Sequence, residues 1–164
     1  MGSFIINGGN RLCGNICVHG AKNSVLPVLA ATVLSGERSV IYGCPELTDV
    51  DSTIKILRYL GCRIRREGGS IEVDSSGMTG DSIPDVLMRE MRSSVIFLGA
   101  ILARTGRAEM TYPGGCELGP RPIDLHLSAL RSMGAEITER GGRMICETVG
   151  LKGADIDLSI PSVG

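Results

Sequence analysis

Asp51-Ser52-Thr53-Ile54-Lys55-Ile56-Leu57-Arg58-Tyr59-Leu60-Gly61-Cys62-Arg63-Ile64-Arg65-Arg66-Glu67-Gly68-Gly69-Ser70-Ile71-Glu72-Val73 reads as helix, turn, strand, turn and strand in succession. Ile54, Leu57 and Leu60 recur at helical spacing and stop at Gly61. Ile64 belongs to a strand, and Ile71 and Val73 alternate in another across the turn at Gly68-Gly69. A shift of 73 brings the pattern back: Asp51 falls on Asp124, Leu57-Arg58 on Leu130-Arg131, Gly61 on Gly134, Ile64 on Ile137 and Gly68-Gly69 on Gly141-Gly142. A period of that length marks a repeated supersecondary unit.

Upstream, a helix begins near Lys22-Asn23-Ser24, accommodates Pro27 in its first turns, and runs through Val28, Leu29, Ala31 and Leu34 to Ser35-Gly36. Ser39 to Tyr42 is a strand, and Asp49 or Asp51 is expected to cap the helix that follows. Here a shift of 70 matches Ser24-Val25 to Ser94-Val95, Gly36 to Gly106 and Tyr42 to Tyr112. The change from 70 to 73 predicts three extra residues in the second copy, near Gly114, Gly115 and Cys116. Leu12, Ile16 and Val18 alternate as a short strand ending at His19-Gly20, so the unit reads strand, helix, strand, helix, strand, strand. Units are expected at about 12–80 and 81–150. A third begins where Leu151-x-Gly153, Ile156 and Leu158 echo Leu12-x-Gly14, Ile16 and Val18, so the chain reads as the front of a longer protein of α/β (α+β) class.

The insertion coincides with Pro113-Gly114-Gly115-Cys116-Glu117-Leu118-Gly119-Pro120-Arg121-Pro122-Ile123-Asp124. Its glycines and prolines exclude a helix or central strand, which puts the Cys116 thiol on a loop. A lone cysteine in a turn also fits an inert packing role. Gly114-Gly115 on one side and a cation, Arg121, on the other favour a thiol facing an anionic ligand. Asp124 opens the apolar run Leu125, Leu127, Leu130 and Met133, a helix; it is read either as a cap or as a ligand contact, and Asp51 as a cap. His126 reads as a partly exposed packing residue.

The shift of 70 also relates Lys22 to Arg92, each at the start of the first helix of its unit. Free N–H groups and the positive end of a helix dipole there, with an added cation and with Asn23 and Ser93-Ser94 beside it, suit a phosphate or carboxylate. Arg89, Arg104 and Arg107 lack such a correspondence and read as solvated charges.

Among 164 residues the formal net charge is −1, without the basic surplus of a nucleic-acid binder. No apolar run approaches the ~20 residues that span a membrane, and the first residues lack the pattern of a signal peptide. The six cysteines include no Cys-x-x-Cys, and the two histidines are far apart, so neither a zinc site nor a secreted disulfide framework is expected. The same absence speaks against a thiol redox protein.

Four motifs in order carry a family resemblance: His19-Gly20-Ala21-Lys22-Asn23-Ser24-x-Leu26-Pro27; Met91-Arg92-Ser93-Ser94; Pro113-Gly114-Gly115-Cys116-x-x-Gly119-x-Arg121-Pro122-x-Asp124-Leu125-His126; and Pro161-Ser162-Val163-Gly164. Together they resemble the UDP-N-acetylglucosamine 1-carboxyvinyltransferases, over essentially the whole chain. The related 5-enolpyruvylshikimate-3-phosphate synthases share the repeat but lack the cysteine loop. The resemblance implies an inside-out α/β barrel of βαβαββ units, with helices inside and sheets outside. It implies a segment, 1–21, that packs with a second domain, and a first catalytic domain, 22–164, that is incomplete here. The second domain, absent from this chain, would be supplied in cis or in trans.

The implied reaction moves the enolpyruvyl group of phosphoenolpyruvate to the 3-hydroxyl of UDP-N-acetylglucosamine in the cytoplasm, for peptidoglycan synthesis, with no cofactor and no metal. Cys116 would protonate the methylene carbon and be the target of fosfomycin. Lys22 and Arg121 would hold phosphoenolpyruvate, and Asn23 and Arg92 would contact one or other substrate. Arg121, Pro122, Ile123, Asp124 and Leu125 would line the uridine end, and Ser162, Val163 and Gly164 would touch the diphosphate. Ile160 stands where some members carry Lys. The general base belongs to the second domain, so the chain by itself is expected to be inactive.

Overall fold

The computed structural model describes residues 3–112 and 123–158, with the backbone alone at Arg92. Helix α1 (Lys22–Ser35) leads to strand β1 (Arg38–Ile41), helix α2 (Thr48–Tyr59) and the hairpin β2 (Arg63–Glu67) and β3 (Ser70–Asp74). Helix α3 (Asp85–Glu90) and a 3-10 turn, Arg92–Ile96, precede α4 (Phe97–Thr105) and β4 (Arg107–Thr111). Helix α5 (Asp124–Ser132) and the hairpin β5 (Glu136–Arg140) and β6 (Arg143–Glu147) complete the second unit. Both hairpins turn on a Gly-Gly pair, with φ of 53° and 77° at Gly68-Gly69 and 59° and 74° at Gly141-Gly142. Two successive positive φ values match the twist of a two-residue hairpin, and a side chain at either position would strain it.

The sheets repeat as well, in the orders β1-β3-β2 and β4-β6-β5, all antiparallel. Their register corrects the alignment of the two copies. Arg38 opposes Asp74 and Arg107 opposes Glu147, while Ile41 opposes Ile71 and Met110 opposes Met144. The first strands therefore correspond at a shift of 69, so Tyr42 matches Thr111 and not Tyr112. Ile41 and Asp51 are ten apart whereas Met110 and Asp124 are fourteen apart, which makes the insertion four residues instead of three.

Helices pack on helices, α1 against both α2 and α4, with the sheets along their flanks. Leu26, Leu29 and Val33 of α1, Ile56 and Leu57 of α2, and Phe97, Leu98 and Ile101 of α4 are buried. They meet one face of each sheet, where Ile71 and Val73, and Met144 and Cys146, are buried at alternate positions. The other face of the first sheet carries Arg38, Arg63, Arg65, Glu67, Glu72 and Asp74 in exposed ion pairs. Pro27 lies in the second turn of α1, where its missing N–H deprives the carbonyl of Asn23 of its helical partner; Asn23 is exposed, so water can serve it.

Two expectations are corrected. The alternation of Leu12, Ile16 and Val18 forms no strand: all three are more than nine-tenths exposed, and residues 3–21 carry no strand. Residues 151–158 likewise form none, although Leu151 packs on the core and the Lys152 N–H bonds the Met133 carbonyl at 2.9 Å. The described residues make two separate three-stranded sheets and no closed barrel.

The second unit does gain a further edge. Glu109 N–H bonds the Asp81 carbonyl at 2.8 Å and Ile83 N–H bonds the Glu109 carbonyl at 3.0 Å, a parallel pairing of residues 81–83 with β4. Two guanidiniums hold it there. Arg107 meets Asp81 at 2.7 Å and Glu109 at 2.5 Å; Arg143 meets Glu109 at 2.6 Å and Asp85 at 2.8 Å. Arg107 is thus a structural clamp and not a solvated charge.

Candidate functional site

Lys22 is the first residue of α1, as expected, whereas Arg92 is the first of the 3-10 turn that runs into α4 and comes after α3, so it opens a helical segment of its unit but not the first. The chain approaches Lys22 by a close passage. A Cβ at Gly20 would stand 2.3 Å from the Gly43 carbonyl oxygen, so only glycine lets these two backbones meet. The Cys44 N–H bonds the Gly69 carbonyl at 2.8 Å, which ties the same passage to the first hairpin turn.

The Lys22 ammonium lies 2.9 Å from the Asp49 carboxylate. The lysine side chain is half exposed, so this pair is worth only ~0–1 kcal/mol, and an incoming anion can compete for the ammonium. Asp49 therefore orients a cation and caps no helix: the residue before α2 is Leu47, and no side chain caps it. Asp51, expected as a cap, lies in the first turn of α2 and pairs with Arg66 at 2.8 Å. Nothing in the local sequence marks Asp49 as the partner of Lys22; the signal lies in the packing of α1 on α2.

Arg92 follows a tightly held segment. The carboxylate of Glu90, the last residue of α3, accepts from the Ser52 hydroxyl at 2.9 Å and from the Lys55 ammonium at 2.9 and 3.2 Å. Hydrogen bonding from Lys55 and then Ser52 lowers the pKa of Glu90, which stays ionised. Met91 is extended, with φ −138° and ψ 123°, and breaks the helix before Arg92. Ser94 is buried and donates to the Met88 carbonyl at 3.2 Å, while Ser93 is half-buried.

At the start of α5, Ile123 packs against the core, Asp124 is exposed in the first turn and Leu125 is half-buried. Asp124 occupies no cap position; Ile123 does. His126 is exposed. The structure thus gives Lys22 and Asn23 adjacent places and ties both cation-bearing segments to α2. Cys116, Arg121, Pro122, Ser162, Val163 and Gly164 lie outside the described residues.

The remaining thiols divide sharply. Cys13 and Cys17 are exposed, and Cys44, Cys62 and Cys146 are buried. Burial pushes Cys62 and Cys146 up to about 11 and raises Cys44 as well, so these three hold their protons near neutrality. Iodoacetamide at pH 8 is expected to label Cys13 and Cys17 within minutes and to spare Cys44, Cys62 and Cys146 until denaturant is added; peptide mass mapping reads the order. Early labelling of Cys62 or Cys146 would contradict the burial. Among the described residues, no group of three His, Cys, Asp or Glu could hold a metal, and no helix is long and apolar enough to cross a membrane.

Comparison with known proteins adds three findings. The profile of the EPSP synthase (3-phosphoshikimate 1-carboxyvinyltransferase) family matches residues 6–164. The chain is 52% identical over 164 residues to UDP-N-acetylglucosamine 1-carboxyvinyltransferase 2 of Caldanaerobacter subterraneus subsp. tengcongensis, covering all of this chain and 39% of that protein. It is 43% identical over 166 residues to UDP-N-acetylglucosamine 1-carboxyvinyltransferase 1 of Streptococcus agalactiae, covering 40% of it. The chain therefore spans about two fifths of the length of these relatives. Its fold matches the crystal structure of the enolpyruvyl transferase NikO from Streptomyces tendae with a TM-score of 0.75 at 23% identity, over 88% of this chain and 32% of that one.

Proposed function

Because the chain belongs to the EPSP synthase family, we propose that it forms part of the first domain of a UDP-N-acetylglucosamine 1-carboxyvinyltransferase. The identity of 52% to a protein of that name, over the whole of this chain, carries the reading. Within the family it favours the UDP-sugar over a shikimate acceptor, and the Gly-Gly-Cys loop that sets this chain apart from the shikimate enzymes points the same way.

The reaction joins the 3-hydroxyl oxygen of UDP-N-acetylglucosamine to C2 of phosphoenolpyruvate, with a proton added at C3. Loss of phosphate and of a C3 proton then restores the enol double bond. Cys116 is the acid that delivers the proton to C3. Lys22 and Arg121 neutralise the phosphate and carboxylate of phosphoenolpyruvate, and Asn23 and Arg92 contact the bound substrates. Pro122, Ile123, Asp124 and Leu125 face the uridine, and Ser162, Val163 and Gly164 the diphosphate. The 2.9 Å contact with Asp49 supports the role of Lys22, because it holds an ammonium at the surface without neutralising it in a buried pair.

The base for the sugar hydroxyl comes from a second domain, in cis or in trans, so residues 1–164 alone do not turn over. Exposed Phe4, Ile5, Ile6, Leu12, Ile16 and Val18 support the packing of residues 1–21 against that domain. The setting is the cytoplasm and the pathway that of peptidoglycan. The test is mass spectrometry of the full-length enzyme after exposure to phosphoenolpyruvate or to fosfomycin. The expected result is a covalent adduct confined to the peptide containing Cys116; an unmodified Cys116 in a folded protein would overturn the reading.

A further inference from the structure

Helix α2 touches both cation-bearing segments through one face. Asp49, Ser52 and Thr53 stand at i, i+3 and i+4, which places them side by side on the helix. Asp49 meets the Lys22 ammonium at 2.9 Å. Ser52, only 7% exposed, donates to Glu90, and Lys55 one turn from it adds two more contacts to the same carboxylate. Thr53, fully buried, links the two: its hydroxyl lies 2.9 Å from the Asp49 carbonyl and 3.4 Å from the Met91 sulfur. Glu90 and Met91 are the two residues directly before Arg92.

Such contacts exceed what packing requires. A buried hydroxyl needs one partner, and the Asp49 carbonyl already serves Thr53. A carboxylate at the surface needs only water, yet Glu90 is gripped by three donor contacts from a single helix. The carboxylate is also the wrong sign to stand two residues from an anion site unless it is neutralised, and Lys55 does that.

We propose that α2 sets the placement of the Lys22 ammonium and of the backbone that carries Arg92, with Asp49 a positioning residue acting through Lys22 and Glu90 a positioning residue acting through the start of the 3-10 turn. The inference rests on the reading of Lys22 and Arg92 as ligands of the anionic substrates. The pairing does not recur in the second unit, where the shift of 73 puts Pro122 and Leu125 in the places of Asp49 and Ser52; neither side chain can pair with a cation or a carboxylate.

Double-mutant cycles in the full-length enzyme test it, because a positioning residue loses its effect once the residue it positions is gone. Glu90→Gln, Arg92→Ala and the double variant form one cycle; Asp49→Asn, Lys22→Ala and their double form the other. KM for phosphoenolpyruvate and for UDP-N-acetylglucosamine is measured with kcat and melting temperature. Glu90→Gln is expected to raise KM for one substrate about five- to tenfold, the coupling usual within one polar network, and Asp49→Asn, which breaks a single half-exposed pair, about two- to fivefold; each is expected to add nothing in the Arg92→Ala or Lys22→Ala background. Exchanging the charges of Lys55 and Glu90 is expected to recover most of the loss caused by Glu90→Lys alone. Additive effects in both cycles would overturn the proposal while leaving the ligand reading intact. An unchanged KM in Arg92→Ala and Lys22→Ala would overturn both.

Discussion

Turnover of the full-length enzyme should fall about 10²–10⁴-fold when Cys116 is replaced by Ser, the range attached to a positioned general acid. A free thiol titrates near ~8.5, so at neutral pH it carries a proton and can release it. A serine hydroxyl occupies nearly the same space but is a far weaker acid, so the substitution removes acidity and little else. Folding should be untouched. The residue lies between β4 and α5, in a connection four residues longer than its counterpart in the first unit, so the repeated frame does not depend on it. Steady-state turnover and thermal melting on the same preparations check both halves. Cys116→Asp separates acidity from sulfur chemistry: a carboxylic acid also donates a proton, so this variant should keep activity while escaping alkylation. Full turnover in Cys116→Ser would mean that another group is the acid.

The largest stability effect is expected at Phe97. It is the first residue of α4, fully buried, and the largest side chain so enclosed among the described residues. Removing such a ring from a close-packed interior loses its burial and leaves a cavity, and Phe97→Ala should cost ~3–5 kcal/mol. The exposed ion pairs of the first sheet are individually weak, so no rearrangement among them can offset that loss. Phe4, the chain's other phenylalanine, is 94% exposed, and Phe4→Ala should leave the unfolding midpoint of these residues nearly unchanged. Equilibrium denaturation in urea measures both. A loss below ~0.5 kcal/mol for Phe97→Ala, the level of an ordinary surface change, would show that the helical layer is loosely packed.

What the amino-acid sequence determined by itself was local pattern, although α3 carried no reading. Apolar spacing and glycine punctuation placed α1, the end of α2 and the turns of both hairpins, because a Gly-Gly turn needs positive φ and an amphipathic helix needs its period. The same signals showed the repeat and put Lys22 at the start of α1, while Arg92, expected to start the first helix of its unit, starts a 3-10 turn after α3. What remained depended on partners distant along the chain. Alternation at Leu12, Ile16 and Val18 is necessary for a strand but not sufficient; residues 81–83 pair because β4 offers them an edge, whereas residues 3–21 carry no strand. The offset of 69 at the first strands was invisible in residue matches, since register is decided by which residue opposes Asp74 or Glu147. Asp49 and Arg107 read as a cap and a solvated charge, and the structure makes them a counter-ion and a clamp. An ionic partner is chosen by whichever element packs within a few ångströms, and only the tertiary structure decides that.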